Sequence, residues 1–303
     1  MENNEFKKTV VRVGIVTIIW NAVLSLGKLV VGLLAKSSSL ISDSIHSASD
    51  VFSTIIVMIG AKLSTKKADK EHPFGHERME SIASIILAML LGGTAVLLGY
   101  NGVISIIEFC KGNIVEKNQF IYVALVCAVL SIVIKGIMFI YTLKASKRIN
   151  STSLKADAYH HLSDSLSSIG SALGAIGILI GGYFSILDPI ACLVIAVFIL
   201  KVAIDIARDA INQVVDKAAP EEYQNEIKML VKGYPGVINV NSLKTRQFGN
   251  KYYVELAIAV DGNITVYEGH AIAKGVHDML ESKYDNIKHC MIHVDPNTID
   301  EEK

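Results

Sequence analysis

The sequence predicts six membrane-spanning α-helices over residues 1–208, followed by a small α+β domain over residues 209–303. Two observations carry this reading. The chain of 303 residues is 51% hydrophobic, with mean hydropathy +0.43, above the roughly 45–50% apolar content of soluble domains even when Gly is counted. The excess is also confined, because nearly all the long apolar runs precede residue 208. A spanning helix needs about 20 mostly apolar residues. Six stretches qualify: Gly14–Leu34, Ile41–Leu63, Ser81–Ile107, Gln119–Leu143, Ala158–Gly181 and Ile186–Ile206. Turn-forming residues separate them at Ser37-Ser38-Ser39, Lys111-Gly112-Asn113 and Gly181-Gly182. The first apolar run follows a polar N-terminus and is long enough to span, so no cleaved signal peptide is expected.

After residue 208 the periodicity changes. The pattern predicts a helix over Glu221–Lys232, strands over Val240–Gln247 and Tyr252–Val260, a helix over Tyr267–Lys283 and a strand over Cys290–Val294. Val254, Leu256, Ile258 and Val260 alternate as one buried strand face. Phe248-Gly249-Asn250 reads as the hairpin turn.

Charge sets orientation and excludes some partners. Net charge is zero, and no basic patch with interleaved aromatics appears, so no nucleic-acid partner is expected. Cys110, Cys127, Cys192 and Cys290 are scattered without a C-x-x-C pair, which argues against a disulfide framework or a thiolate zinc site. Lys7, Lys8, Arg12, Lys62, Lys66, Lys67, Lys70, Arg78, Lys144, Lys147, Arg148 and Lys155 fall on one side of the six segments, and only Lys36, Lys111 and Lys117 on the other. The positive-inside rule then predicts a multi-pass protein of the cell membrane, its lipid partner, with both termini cytoplasmic.

Two of the spanning segments carry charge in a repeated order. Asp43-x-x-His46-x-x-x-Asp50 returns 114 residues later as Asp157-x-x-His160-x-x-x-Asp164. Residues four apart share a helix face, so His46 aligns with Asp50 and His160 with Asp164. At 1.5 Å per residue Asp50 and Asp164 lie about 9–14 Å inside their apolar runs, approaching the bilayer centre from opposite sides. Ionisable groups at that depth are costly and read as functional, and paired sites on inverted segments near the midplane are a transporter signature. Hydrogen bonding between helices would explain a single such residue, but not four in matching order. Lys28 and Lys135 also lie inside these segments, placed to snorkel or to pair within the bundle.

Two imidazoles and two carboxylates suit a tetrahedral divalent ion, Zn²⁺ first. Fe²⁺, Co²⁺ and Cd²⁺ are not separated from it by side-chain type; Mn²⁺ prefers more oxygen than His46 and His160 leave, and a manganese or ferrous-iron exporter is the rival within the same class. Because imidazole binds metal only when deprotonated, protons compete for the site and are the expected counter-ion. A second group, Asp69, His72 and His76, has ligand spacing within a polar turn containing Pro73 and Gly75.

With both motif copies, the His72-Pro73-Phe74-Gly75-His76 loop and the trailing α+β domain, the chain resembles the cation diffusion facilitator family from about residue 10 to 297. The resemblance implies a homodimeric metal/proton antiporter that exports divalent cations from the cytoplasm. It implies a transport site of His46, Asp50, His160 and Asp164 and a loop site of Asp69, His72 and His76. It also implies a metallochaperone-like C-terminal domain, in which His270, His293 and Asp295 match the cytoplasmic ligands. Asn241 and Ala257 stand where many relatives place His, so that site is expected to be thinned. His161, His277 and His289 read as structural. An intramembrane metal-dependent hydrolase would need a motif such as H-E-x-x-H, which is absent, so no enzyme is expected. A metal sensor is the remaining rival, and the thinned ligand set argues against it.

Overall fold

A computed structural model describes residues 2–34, 38–111, 121–180, 184, 186–248 and 251–297. The chain forms two compact units, Met1–Ile211 and Asn212–Lys303. The first contains six long helices: α1 (Glu2–Leu34), α2 (Ser38–Ser64), α3 (Arg78–Cys110), α4 (Ile121–Ile149), α5 (Thr152–Ile180) and α6 (Leu187–Val214). By length and composition α1, α3, α4 and α6 can each cross a membrane. Their outer faces expose large apolar side chains such as Leu26, Leu97, Ile137 and Val197, the surface a lipid-solvated bundle presents. The other two, α2 and α5, carry the repeated His and Asp motif.

Several helices outrun their apolar segments. α4 continues beyond Leu143 to Ile149, and α5 begins at Thr152 instead of Ala158. Lys144, Lys147 and Arg148 end the apolar run but are good helix formers, so hydropathy marks where lipid stops and not where the helix stops. α6 likewise runs through residue 208 to Val214.

Only Asn150 and Ser151 separate α4 from α5. Asn150 takes φ 51°, a left-handed conformation Asn tolerates at a helix end. The Ser151 hydroxyl accepts from the Leu154 N–H at 3.2 Å, capping α5. That hydroxyl also donates to the buried Glu80 carboxylate of α3 at 2.5 Å. The Ser153 hydroxyl and N–H donate to the same oxygen at 3.3 and 3.4 Å. A carboxylate at a helix N-terminus is favoured by the orphan N–H groups there.

α2 and α3 approach closely at Gly60, where a Cβ would lie 2.5 Å from the Cβ of Ala83. Small residues at such crossings let membrane helices pack backbone to backbone.

The second unit is α7 (Glu221–Lys232), β1 (Asn239–Phe248), β2 (Lys251–Val260), α8 (Val266–Lys283) and β3 (Ile287–Pro296). β2 pairs antiparallel with β1 and parallel with β3. Parallel neighbours need a crossover, which α8 supplies, opening with a Thr265/Glu268 capping box. Val254, Leu256, Ile258 and Val260 all face the core, against Ile227 and Val231 of α7 and Val276 and Leu280 of α8. Burial among these side chains pushes the Cys290 thiol up to about 12. The Gly249-Asn250 turn, Ser37, Gly112-Asn113 and Gly181-Gly182 lie outside the described residues.

Candidate metal centres

The motif copies on α2 and α5 converge. Asp50 Oδ1 lies 3.3 Å from His160 Nε2, and Asp164 Oδ2 lies 4.0 Å from the same nitrogen. Asp50, His160 and Asp164 each offer a ligand atom within 4.8 Å of the others. His46 stands one turn before Asp50 in α2; its side chain lies outside the described ones. Asp50 and His160 are buried, so a cation there would exchange its water for these ligands.

Lys135 of α4 also belongs to this cluster. Its Nζ donates to Asp50 Oδ2 at 2.6 Å and to Asp164 Oδ2 at 2.7 Å, and the side chain is only 2% exposed. Sequence reading named Lys135 as a charge within an apolar segment but not its partners. The signal was charge balance: a single cation within the apolar segment of α4, with carboxylates in those of two other helices. His161 faces elsewhere, with its Nε2 3.6 Å from the fully buried Asp157. The Thr54 hydroxyl donates to that carboxylate at 3.4 Å.

The loop before α3 assembles the second group. Asp69 Oδ1 accepts from the His72 N–H at 2.8 Å, and Gly75 turns the chain with φ 95°, a conformation suited to Gly. His72 Nδ1 and His76 Nε2 each lie 3.4 Å from an Asp69 oxygen, and the three residues offer ligand atoms within 4.8 Å of one another. Lys66 donates to Asp69 at 2.7 Å. Its ammonium, with the His72 N–H, holds the Asp69 carboxyl below the usual carboxylate range. Asp69 therefore stays ionised throughout the physiological range, whereas each imidazole must be free of its ring-nitrogen proton to bind. A metal held by this loop should therefore bind more tightly as pH rises, through His72 and His76. Calorimetric titration of the full-length protein at several pH values checks this, with His76→Ala as the variant expected to remove the loop component.

The third predicted set does not gather within one chain. His293 and Asp295 pair at 2.9 Å, and the Asn241 amide donates to Asp295 at 2.9 Å. Val294, between them, packs into the core with α8. His270 of α8 lies with Ile292 and Val294, and because side chains alternate along a strand, His293 and Asp295 leave β3 on the other face from these. His270 therefore does not join them. A different cluster forms instead from His277, Glu281 and His289, read from sequence as structural. His277 Nε2 lies 3.1 Å from Glu281 one helical turn on, and His289 Nδ1 lies 4.0 Å from that carboxylate.

The profile described as the cation efflux transmembrane domain matches residues 14–214. A second, the cation efflux protein cytoplasmic domain, matches residues 219–297. The chain belongs to the cation diffusion facilitator family. This cation diffusion facilitator is 38% identical over 281 residues to an uncharacterised transporter of Methanocaldococcus jannaschii, covering 93% of this chain and 96% of the relative. It is 29% identical to the manganese efflux system protein MneP of Bacillus subtilis, covering 94% and 95%. It is 26% identical to the cation-efflux pump FieF of Citrobacter koseri, covering 98% and 96%. Among solved structures, a nickel form of the MamM C-terminal domain covers 26% of this chain and 100% of that one, at 26% identity and TM-score 0.26. As a member of the family the facilitator is a membrane transporter for efflux of divalent cations and not an enzyme.

Proposed function

We propose that this facilitator exports Zn²⁺ from the cytoplasm in exchange for protons, through a site of His46, Asp50, His160 and Asp164. The observation that carries this reading is the convergence of Asp50, His160 and Asp164 from α2 and α5, with His46 one turn from Asp50. Two nitrogen and two oxygen donors favour a tetrahedral ion. Each imidazole that takes the metal releases any proton it held, which couples the two flows. A second reading, Mn²⁺ as cargo, draws support from the likeness to MneP. Purified protein in liposomes with an imposed pH gradient, tested ion by ion, decides between them. Gradient-driven Zn²⁺ uptake exceeding Mn²⁺ uptake is expected; Mn²⁺ uptake alone would give the second reading, and no metal flux would end both.

The chain spans a membrane with both termini cytoplasmic in this reading, supported by the asymmetric Lys and Arg distribution. Cys110, exposed at the end of α3, then faces outward. A membrane-impermeant maleimide added to intact cells should label the wild type and not Cys110→Ser. Labelling only after permeabilisation would invert the topology.

The C-terminal unit serves as a dimerisation domain that binds metal weakly, a role supported by the match to the cytoplasmic-domain profile and by the separation of His270 from His293 and Asp295. With its own core, the 212–303 fragment should fold alone. It should sediment as a dimer without added metal; a monomer that pairs only with Zn²⁺ would contradict the assignment.

A further inference from the structure

We infer that Lys135 is a tethered cation that occupies the transport site when no metal is bound and must be displaced when metal enters. The inference rests on the reading of His46, Asp50, His160 and Asp164 as the metal site and adds a fifth participant from a third helix. The Lys135 Nζ bridges one oxygen of each carboxylate, at 2.6 and 2.7 Å. That position lies between Asp50 of α2 and Asp164 of α5, where a bridging divalent ion would also draw on both carboxylates.

Two carboxylates enclosed in a membrane bundle are strongly disfavoured without a compensating charge. Lys135 supplies one and donates hydrogen bonds to both, so the metal-free site carries one net negative charge from these three side chains instead of two. Metal and ammonium cannot share the carboxylates at full strength, because a divalent ion within a few ångströms of a fixed positive charge is repelled in a low-dielectric interior. The four-carbon stem of lysine and its compact head let the ammonium withdraw while staying attached. Metal therefore binds against an internal competitor, and the competitor refills the site as metal leaves. Lys135 sets affinity low enough for release and holds α2, α4 and α5 together in the empty carrier.

A lysine that only locked three helices together would contribute to stability but would not tune affinity in opposite directions. The test uses full-length protein in detergent, with Asp69 and His72 replaced by Ala to silence the loop site, titrated calorimetrically with Zn²⁺ and Mn²⁺. Lys135→Gln should bind metal about tenfold more tightly than its parent, because a repelling charge has gone. Lys135→Arg keeps the charge and can clamp both carboxylates through its fork, so it should bind about tenfold more weakly. In liposomes Lys135→Gln should load metal and release it slowly. Affinities unchanged in both variants, or weakened in Lys135→Gln, overturn the proposal. If Lys135→Gln does not fold, Lys135→Arg decides, and parental affinity there overturns it. Adding His160→Ala to the parent separates the two levels. If that change leaves metal binding intact, the site assignment itself fails. If it removes binding while Lys135 variants keep parental affinity, only the role of Lys135 fails.

Discussion

Replacing Asp50 by Ala should abolish metal transport while the protein still folds and dimerises. In the proposed site one ion is shared among ligands from two helices, so loss of any one should remove most of what the set provides. Asp50 has a further burden: it accepts a hydrogen bond from Lys135 and lies 3.3 Å from His160. His46→Ala, His160→Ala and Asp164→Ala should have nearly the same effect on flux, and combining them should add little, as expected for residues acting as a unit. Asp50→Ala should differ in stability as well, because removing one member of a buried ion pair typically costs about 3–5 kcal/mol. Here Lys135 keeps Asp164, so the loss should fall toward the lower end. Flux in liposomes and thermal melts of the same preparations check both parts. Wild-type Zn²⁺ flux in Asp50→Ala would remove the site from the transport path.

Exchanging His160 for Asp should change which ion is carried. The proposed set passes from two nitrogens and two oxygens to one nitrogen and three oxygens, a shift toward ions that favour oxygen and higher coordination. The Zn²⁺:Mn²⁺ uptake ratio should fall by about tenfold or more, the order of magnitude one ligand change imposes on relative affinity. The new carboxylate also meets Lys135, which then faces three acidic groups, so total flux should fall alongside the ratio. An unchanged ratio measured by competition in one liposome preparation would assign selectivity to packing around the site.

Much of this architecture was legible in the chain because its strongest signals are local. Apolar runs about the thickness of a bilayer announce helices, and four-residue spacing announces a shared face, so the motif residues of α2 and α5 were identifiable before any geometry. Alternation along Val254–Val260 marked the core face of β2 for the same reason. Other features depend on what lies across space. Nothing near Lys135 in sequence says which helices supply its carboxylates. Nothing near His270 says that β3 turns His293 and Asp295 to the opposite face, nor that His277 and Glu281 meet His289 from that strand. Helix ends were misplaced where charged residues continue a helix beyond the apolar run, as at Lys144–Arg148.

The bond from Ser151 to Glu80 has a mechanical consequence. The α4–α5 turn is fastened to the start of α3 through one buried carboxylate that gathers donors from Ser151 and Ser153. A rod fastened at one end resists sliding more than swinging, so a tilt of α5 would pivot near that fastening. The fulcrum sits at the first turn of α5, two turns before His160 and three before Asp164. A small tilt there would be multiplied along the rod, so His160 and Asp164 near the pivot would shift little while the far end swept widely.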